Sequence, residues 1–424
     1  MTVQSTGEQT QDAVVPLHRN RDFRLLWIGQ ACSDLGSRMT DLAFPLLVLF
    51  LTDSPTQAGL VGTASLLAYA CAGVPAGALA DRWNRKRLMI ACDLIRALAM
   101  TILVTAILGG WASVPLIVAI AAVAGVANAS FGPAHTGALR NIVPTVQLPR
   151  ASARIEARGY AAELVGPPLG GALFGVARFA PFLADVMSYV MSFACIAAIR
   201  RPLQDHRNPR PEPLLRSIGS GLRFVLAEPF LRATMCVAPL LNATFTGVMF
   251  VLVVVLQQQG TSAAGIGGVQ SAVLVGGLLG ALLAPALLPR VQPPKLIVFF
   301  CWLIVGLAAA AAALTTLDAA YAVAVPLALA ILLAPTINAA VFGYVIAITP
   351  DSMQGRVDSA LNTVSTGLSP LAPLAGGLLV EYVGGGWAML TFAGVLAVAA
   401  VIASASKAIR HMRPLSELHE AGQA

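Results

Sequence analysis

The most restrictive feature of the sequence is a series of twelve apolar stretches, each about 20 residues or longer, separated by short polar loops. A helix that crosses a bilayer needs this length because its backbone N–H and C=O groups cannot remain unpaired in hydrocarbon. Hydrophobic residues fill 57% of the 424 positions and charged residues only 11%. A typical soluble domain carries about 25% charged residues. The sequence therefore predicts an all-α integral membrane protein and excludes a water-soluble fold.

The predicted spans follow one another with little room for loops. They lie near residues 23–50, 57–80, 87–109, 113–138, 152–177, 180–199, 230–256, 263–288, 295–316, 319–348, 357–380 and 387–406. The first twenty residues are polar and have no apolar core of a signal peptide, so we expect no cleavage. Six scattered cysteines without a CxxC pair indicate neither a disulfide framework nor a metal site.

The net charge of +7 is explained by orientation in the membrane. If the N-terminus is cytoplasmic, nearly all Lys and Arg residues outside the spans fall in cytoplasmic segments, and the external loops contain only Arg178. A nucleic-acid partner would need a dense basic face, which this composition does not supply. We therefore predict a multi-pass protein of the cytoplasmic (inner) membrane, with both termini in the cytoplasm.

The two halves of the chain are related by an internal repeat. A shift of 206 residues aligns Pro144 with Pro350, Arg150 with Arg356, Pro167 with Pro373, Gly170 with Gly376 and Gly171 with Gly377. The spans concerned run in the same direction, which predicts two parallel six-helix repeats. We expect an N-terminal bundle over residues 1–200, a C-terminal bundle over 230–424, and a cytoplasmic linker over 201–229. Residues 214–225 of the linker suit either a short amphipathic helix on the membrane surface or a solvated connector.

Small residues mark the helix faces at which such halves would meet. Candidates are Gly73, Gly77, Gly166, Gly170, Gly171, Gly276, Gly280, Gly376 and Gly377. The alternative is that membrane helices use glycine freely, without an interface between halves.

A carboxylate followed by a cluster of cations lies between spans two and three. Its residues are Gly77, Asp81, Arg82, Arg85 and Lys86. The run is similar to the cytoplasmic loop signature of the major facilitator superfamily, G-x-L-a-D-R-x-G-R-R/K, with Asn84 in place of a glycine. We expect Asn84 to preserve the turn because asparagine tolerates left-handed backbone. The resemblance implies that Asp81 engages the cytoplasmic start of span eleven and latches the outward-facing state; a simple positive loop is the alternative.

Span five contains Gly166, Pro167, Gly170 and Gly171 in the order of the family's antiporter signature, g-x-x-x-G-P-x-x-G-G. The prolines predict a bend and the glycines a tight contact with span eight. By resemblance this favours export. Further similarity, to the branch that contains enterobactin exporters and macrolide efflux proteins, lies at Phe23–Gln30, Leu42–Leu47, Phe131–Ala134 and Gly355–Val357. The proton-coupling arginine that drug exporters of this superfamily often carry in span four is missing here.

Ionisable side chains at membrane depth are costly and are therefore candidates for function. Asp34, Arg38 and Asp41 share one face of span one, where Arg38 can pair with one or both carboxylates. Surplus acid beside a shared cation suits a proton acceptor, although a closed structural triad is the alternative. Glu163 and Asp185 are the next candidates. Asn128 offers a neutral hydrogen bond in a cavity or between helices, and Asp93 with Arg96 predicts a structural ion pair.

These features favour a secondary active efflux transporter. We expect a monomer that exchanges protons for a hydrophobic or amphipathic small molecule, such as an antibiotic, secondary metabolite or siderophore, by alternating access. No cofactor is indicated. Neither an ATP-binding G-x-x-x-x-G-K-[ST] run nor an H-E-x-x-H run occurs, so the sequence predicts no enzyme. The alternatives are an uptake symporter of the same fold and a membrane receptor that transports nothing.

Overall fold

The computed structural model describes residues 16–204, 222–288, 293–315, 320–350 and 353–410. Within these ranges the regular elements are helices, and no strand is present. The long helices are α1 Arg21–Thr52, α2 Pro55–Arg82, α3 Arg85–Leu108, α4 Val114–Ile142, α5 Leu148–Val176, α6 Ala180–Ala198, α7 Pro229–Gln258, α8 Ala263–Leu287, α9 Pro293–Thr315, α10 Ala324–Leu332, α11 Ala334–Ile348, α12 Gln354–Thr366, α13 Ala372–Val383 and α14 Gly385–Ala405. A last turn, α15, covers Lys407–Arg410. Most of the linker segment 214–225 lies outside the described residues, and residues 222–227 are helical.

The surface of the helices is apolar, as contact with lipid requires. Leu98, Leu108 and Leu282 are each more than 60% exposed, with exposed fractions of 63%, 63% and 71%. Among the described residues, ten helical stretches are long and apolar enough to cross a membrane. The helices α2 and α5, of 28 and 29 residues, are of comparable length. The protein is therefore a multi-pass membrane protein, and the number of twelve spans stays a prediction.

Serine side chains cap the start of equivalent helices in the two halves of the chain. Ser54 precedes α2, and its hydroxyl accepts a hydrogen bond from the backbone N–H of Gln57. Ser262 precedes α8 and accepts from Gly265 in the same way. A serine in this position satisfies an N–H group that has no partner within the helix. Equivalent helices of the two halves thus start with the same local device.

Two predicted spans are broken where the sequence predicted continuous helices. Span ten is divided into α10 and α11 at Leu333, and Pro335 lies in the first turn of α11. Span eleven is divided into α12 and α13 by a 3₁₀ turn at Ser369–Leu371, which contains Pro370. Proline has no N–H to donate and is tolerated in a first helical turn, so each of these residues favours a new helix start.

The apolar core shows how the halves α1–α6 and α7–α14 are joined. We call the end at which α2 meets α3 and α4 meets α5 the basic end, because its loops carry the arginines. One large cluster contains residues of both halves, including Leu46, Leu47, Val251 and Val254, and lies away from the basic end. Towards the basic end each half has its own cluster, around Leu26 and Met89 in one half and around Leu231 and Phe300 in the other. Among the described residues, the apolar core that the halves share therefore lies away from the basic end.

Candidate functional site

Arg38 joins two carboxylates from different helices. Its guanidinium lies 2.6 Å from a carboxylate oxygen of Glu163 on α5 and 3.4 Å from one of Asp41 on α1. All three side chains are at least one-third exposed, with values of 44% for Arg38, 65% for Asp41 and 36% for Glu163. The sequence prediction that Arg38 pairs with a carboxylate of its own span is confirmed for Asp41. Two acids thus share one cation at a site that is open to its surroundings.

Asp34 belongs to a different ion pair. Its carboxylate lies 2.9 Å from Nε of Arg158 on α5, whose side chain is only 9% exposed. Arg158 also lines a cavity of about 740 Å³ that runs between α1 and α5 from Leu17 to Val165. The predicted triad is therefore split, because α5 supplies a separate partner to two of its members: Arg158 to Asp34, and Glu163 to Arg38.

Asp93 and Arg96 form the predicted structural ion pair in the interior of the N-terminal half. The pair is buried, with side-chain exposures of 0% and 4%. Arg96 also donates to the Asn128 side chain, and Asp93 accepts from Ser192 Oγ at 2.7 Å. Asn128 therefore binds a buried cation rather than facing a cavity as a free amide. A buried pair with these additional hydrogen bonds has the partners that such charges need away from water.

Asp185 is fully buried on α6. Its carboxylate is 2.9 Å from the hydroxyl of Ser188 and 3.2 Å from that of Thr40, which lies on α1. Gly36 provides the space, since a methyl group there would overlap the carboxylate. Asp185 therefore holds α6 against α1 through the hydroxyl of Thr40, the residue that precedes Asp41 of the Arg38 cluster.

The antiporter-like segment of α5 connects this charge cluster to the other half. Pro168 has no N–H, so the carbonyl of Leu164 lacks its usual partner four residues along the helix. Ser271 Oγ of α8 donates to this carbonyl at 2.5 Å. Leu164 directly follows Glu163, so the carboxylate bonded to Arg38 is one residue from a hydrogen bond that crosses between the halves. The prolines of the antiporter-like motif predicted a bend. In the structure, Pro168 also leaves the Leu164 carbonyl available as an acceptor for span eight.

Two of the close contacts between the halves are equivalent to each other in the repeat. A methyl group at Gly171 on α5 would overlap the carbonyl oxygen of Ala263, the first residue of α8. One at Gly377 on α13 would overlap the carbonyl oxygen of Pro55, the first residue of α2. Gly171 and Gly377 are the positions that the shift of 206 residues aligns. The repeat therefore builds one contact twice, at the end away from the basic loops.

The other predicted interface glycines serve different contacts. Gly166 and Gly170 lie against Arg38 and Met39 of α1 instead of span eight. Three more pack against other residues of the C-terminal half: Gly276, Gly280 and Gly376. Two in the N-terminal half, Gly73 and Gly77, face open space. The prediction of an interface between halves was wrong for these residues in this conformation. A small residue permits a close approach, but its spacing does not say which neighbour approaches.

At the basic end, the Gly77–Lys86 motif between α2 and α3 makes contacts within its own half. Arg85 donates to the carbonyl of Gly137 at 3.2 Å, and Lys86 Nζ donates to those of Ala197 and Ile199 at 2.8 and 2.7 Å. Lys86 thus places a cation at the C-terminal end of α6, where the helix dipole is negative. Arg82 is the last residue of α2. The side chain of Asp81 lies outside what the structure describes.

Asn84 preserves the turn of this motif, but by a different means from the one we expected. Its φ of −64° and ψ of 113° place it in extended rather than left-handed backbone. Its side-chain oxygen accepts from the N–H of Arg87 at 3.1 Å, so it is the N-cap of α3. The expectation of left-handed backbone was wrong, because capping is the commoner use of asparagine before a helix.

Sequence reasoning missed several residues that the structure places at these sites. Arg158 was assigned to the orientation signal although it lies inside predicted span five. Ser271 was missed because its partner is a carbonyl that only the proline of another helix leaves free. Glu381 was missed because its partners are in the other half: it accepts from Ser54 Oγ at 2.8 Å and from Thr56 N–H at 3.0 Å.

Comparison with known proteins agrees with this arrangement. The model of the Major Facilitator Superfamily matches residues 26–369. The chain is similar to macrolide efflux protein A of Streptococcus pyogenes, with 26% identity over 223 residues, 51% of this chain and 54% of that protein. The chain thus spans about half the length of that relative. Multidrug efflux pump Tap of Mycolicibacterium fortuitum is 26% identical over 366 residues, 82% of this chain and 87% of the pump.

Solved structures show the same fold. The crystal structure of a bacterial homologue of the human lysosomal transporter Spinster, in an inward-facing and occupied conformation, superposes with a TM-score of 0.71. The superposition covers 93% of this chain and 99% of that one, at 16% sequence identity. At this identity the likeness concerns the fold alone.

Proposed function

Because the chain belongs to the major facilitator superfamily, we propose that it is a secondary active exporter of hydrophobic or amphipathic small molecules, driven by proton antiport. The relatives named for macrolide and multidrug efflux support export as the direction of transport. We place the protein in the cytoplasmic membrane as a monomer, with two six-helix bundles, a cytoplasmic linker, and both termini in the cytoplasm. The basic end is then the cytoplasmic end, as the positive-inside rule requires.

The observation that carries the proposal is that Asp41 and Glu163 share Arg38. Two carboxylates beside one guanidinium leave a net negative charge, which binding of one proton removes. A proton on Glu163 weakens its attraction to Arg38 and leaves Arg38 to Asp41. A proton on Asp41 has the opposite effect. The site therefore has distinct charge arrangements that differ in how firmly α1 and α5 are held together.

The neighbouring contacts connect this charge change to movement of the halves. Glu163 is adjacent to Leu164, whose carbonyl accepts from Ser271 of the other half. Gly171, two turns further along α5, is in tight contact with Ala263. A change in the position of α5 at Glu163 thus acts directly on the contact that closes the bundle at its external end.

The conformation described here corresponds to cytoplasmic access. The halves share an apolar core at the external end, whereas each half has its own core at the basic end. Cargo therefore enters from the cytoplasm in this state. Protonation from outside would follow once the contacts at Gly171 and Gly377 separate, as alternating access requires.

Everted membrane vesicles test the proposal, with ethidium as a fluorescent cargo. An imposed proton gradient, acidic inside, should drive ethidium into vesicles that contain the wild-type protein. Glu163→Gln and Asp41→Asn should lower this proton-driven accumulation at least tenfold, while exchange of labelled for unlabelled ethidium without a gradient continues. Asp53→Asn is the matched control, since Asp53 is exposed in the α1–α2 loop and asparagine accepts its left-handed φ of 51°.

Two results would contradict the proposal. If expression raises ethidium accumulation in intact cells, the direction of transport is uptake. If both carboxylate variants keep full proton-driven transport, the Arg38 cluster has no part in coupling.

A further inference from the structure

The C-terminal half encloses a cavity at the point where span ten is broken. The cavity has a volume of about 360 Å³ and is bounded by α7, α8, α9, α10, α11 and α14. Ala334 and Pro335, at the start of α11, form part of its wall. The interruption at Leu333 lies between the lining residues Ile331 and Ala334. The cavity is therefore a product of the fold of this half and does not depend on contacts with α1–α6.

The lining of the cavity is almost entirely apolar and contains no ionisable side chain. Phe245, Val248, Phe300 and Ile331 are representative of its walls. Its polar side chains are Asn242, Thr244 and Asn338. A volume of this size lies near the lower end of the range for small-molecule sites, which is about 300–1,000 Å³. The lining fits an uncharged ring system with a small number of polar atoms.

Thr244 gives this cavity a specific hydrogen-bonding group. The residue is 2% exposed, and its Oγ1 has no hydrogen-bond partner in the described part of the chain. Thr234 and Thr246 on the same helix each donate to the carbonyl four residues earlier, at 3.0 Å. Thr244 therefore lacks the bond that its neighbours make. A buried hydroxyl without a partner is unfavourable, and a ligand oxygen or N–H group would satisfy it.

The cavity is open at a rim formed by Asn242, Phe245 and Asn338, which are all exposed. Asn242 donates its amide N–H to its own helix at Ala238, at 3.0 Å, so its side-chain oxygen faces the rim as an acceptor.

From these observations we infer that the cavity is a binding subsite for an uncharged, apolar part of the cargo that carries an oxygen or N–H group, with Thr244 as its hydrogen-bonding residue. This inference rests on the proposed function and names the class of cargo. Charged groups at membrane depth belong to the other half, in the Arg38 and Arg96 clusters. The C-terminal half would therefore recognise the apolar part of a molecule independently of the proton.

Equilibrium binding to purified protein in phosphatidylcholine nanodiscs tests the inference without any requirement for transport. The probes are tritiated chloramphenicol, which is uncharged and has an aromatic ring with hydroxyl and amide groups, and tetraphenylphosphonium, which is a cation without a hydrogen-bonding group. Thr244→Val should weaken chloramphenicol binding by about 3–10-fold, the effect of one hydrogen bond. Ala330→Leu, which fills the cavity, should weaken it at least tenfold. Thr244→Val should leave tetraphenylphosphonium binding unchanged.

Thr234→Val is the matched control, because it removes a hydroxyl that already bonds to its own helix, and chloramphenicol binding should be unaffected. Each variant must give a single symmetrical peak in size-exclusion chromatography. The inference is overturned if Thr244→Val binds chloramphenicol like Thr234→Val. This holds even where Ala330→Leu binds chloramphenicol weakly, because a cavity that only holds an apolar group, such as a lipid acyl chain, would give the same pattern. It is also overturned if the wild-type protein does not bind chloramphenicol. A protein that binds as expected but fails in the vesicle assay would refute only the proposed function.

Discussion

Glu381 connects the two halves at the end away from the basic loops. It lies near the end of α13, and its Oε2 accepts hydrogen bonds from Ser54 Oγ at 2.8 Å and from the backbone N–H of Thr56 at 3.0 Å. Both donors belong to the first turn of α2 or its cap. The carboxylate therefore interacts with two donors and with the positive end of the α2 dipole. We predict that Glu381→Gln shifts the protein towards the conformation that is open at this end.

The size of the effect follows from the contacts and their exposure. A hydrogen bond to a charged group contributes about 1.5–3 kcal/mol, and a carboxylate at a helix N-terminus about 0.3–1 kcal/mol. Glu381 is exposed to solvent, so the lower ends of these ranges apply. Glutamine keeps an acceptor but loses the charge, and a loss of about 1 kcal/mol is expected. This corresponds to a change of about fivefold in the ratio of the two conformations.

Distances between spin labels can measure this ratio in nanodiscs. Val176 at the end of α5 and Tyr382 at the end of α13 are 84% and 78% exposed, so both accept a label without disturbing the core. Each conformation gives its own distance between the two labels, and the longer distance belongs to the conformation that is open at this end. In Glu381→Gln this longer distance should become about fivefold more populated relative to the shorter one. Glu156→Gln is the control, because Glu156 is an exposed glutamate near the other end of α5. Identical distance distributions in the wild type and in both Glu381→Gln and Glu381→Ala would refute the reasoning.

Three further predictions follow from other contacts. Asp93→Leu should lower the free energy of unfolding by about 3–5 kcal/mol, because it leaves Arg96 buried without its partner. The double variant Asp93→Leu with Arg96→Met should recover most of this loss. Thermal unfolding in detergent measures both variants. Gly171→Leu should open the end away from the basic loops, since its side chain would overlap Ala263. Gly175→Leu, which meets open space, should not; the same spin labels report this. Asn84→Ala should destabilise the start of α3 by about 1 kcal/mol and Asn84→Gly by a few tenths, as measured by hydrogen exchange at Arg87.

The sequence was sufficient for features that depend on composition and on neighbours along one helix. The spans follow from the length that a bilayer demands, and the pairs Arg38–Asp41 and Asp93–Arg96 follow from positions three residues apart. The breaks in spans ten and eleven coincide with Pro335 and Pro370, which are a signal in the sequence. That signal was ambiguous, because α5 contains Pro167 and Pro168 and is continuous.

The sequence was insufficient wherever the partner comes from another helix. Nothing near Asp34 in the chain distinguishes Arg38 from Arg158 as its partner, since that choice depends on how α5 is rotated against α1. Gly166 and Gly171 lie in the same motif, yet Gly166 contacts α1 and Gly171 contacts α8, because they are on different faces of one helix. Residues of one motif can therefore serve different interfaces, and their spacing alone does not assign them.

The two halves are alike at their contact away from the basic end and differ in the charged residues that they carry. Gly171 with Ala263 and Gly377 with Pro55 form the same contact twice, so the movement that opens one pair must open the other. In contrast, α1, α3, α5 and α6 contain Asp, Glu or Arg residues at membrane depth, whereas α8, α10, α11 and α14 contain no Asp, Glu, Lys or Arg. The proposed coupling site and the proposed cargo subsite therefore lie in different halves. The two sites can influence each other only through contacts that both halves share. Ser271 of one half bonds to Leu164 of the other, which directly follows Glu163 of the Arg38 cluster. Ser271→Ala should therefore weaken the dependence of cargo binding on pH without abolishing binding itself.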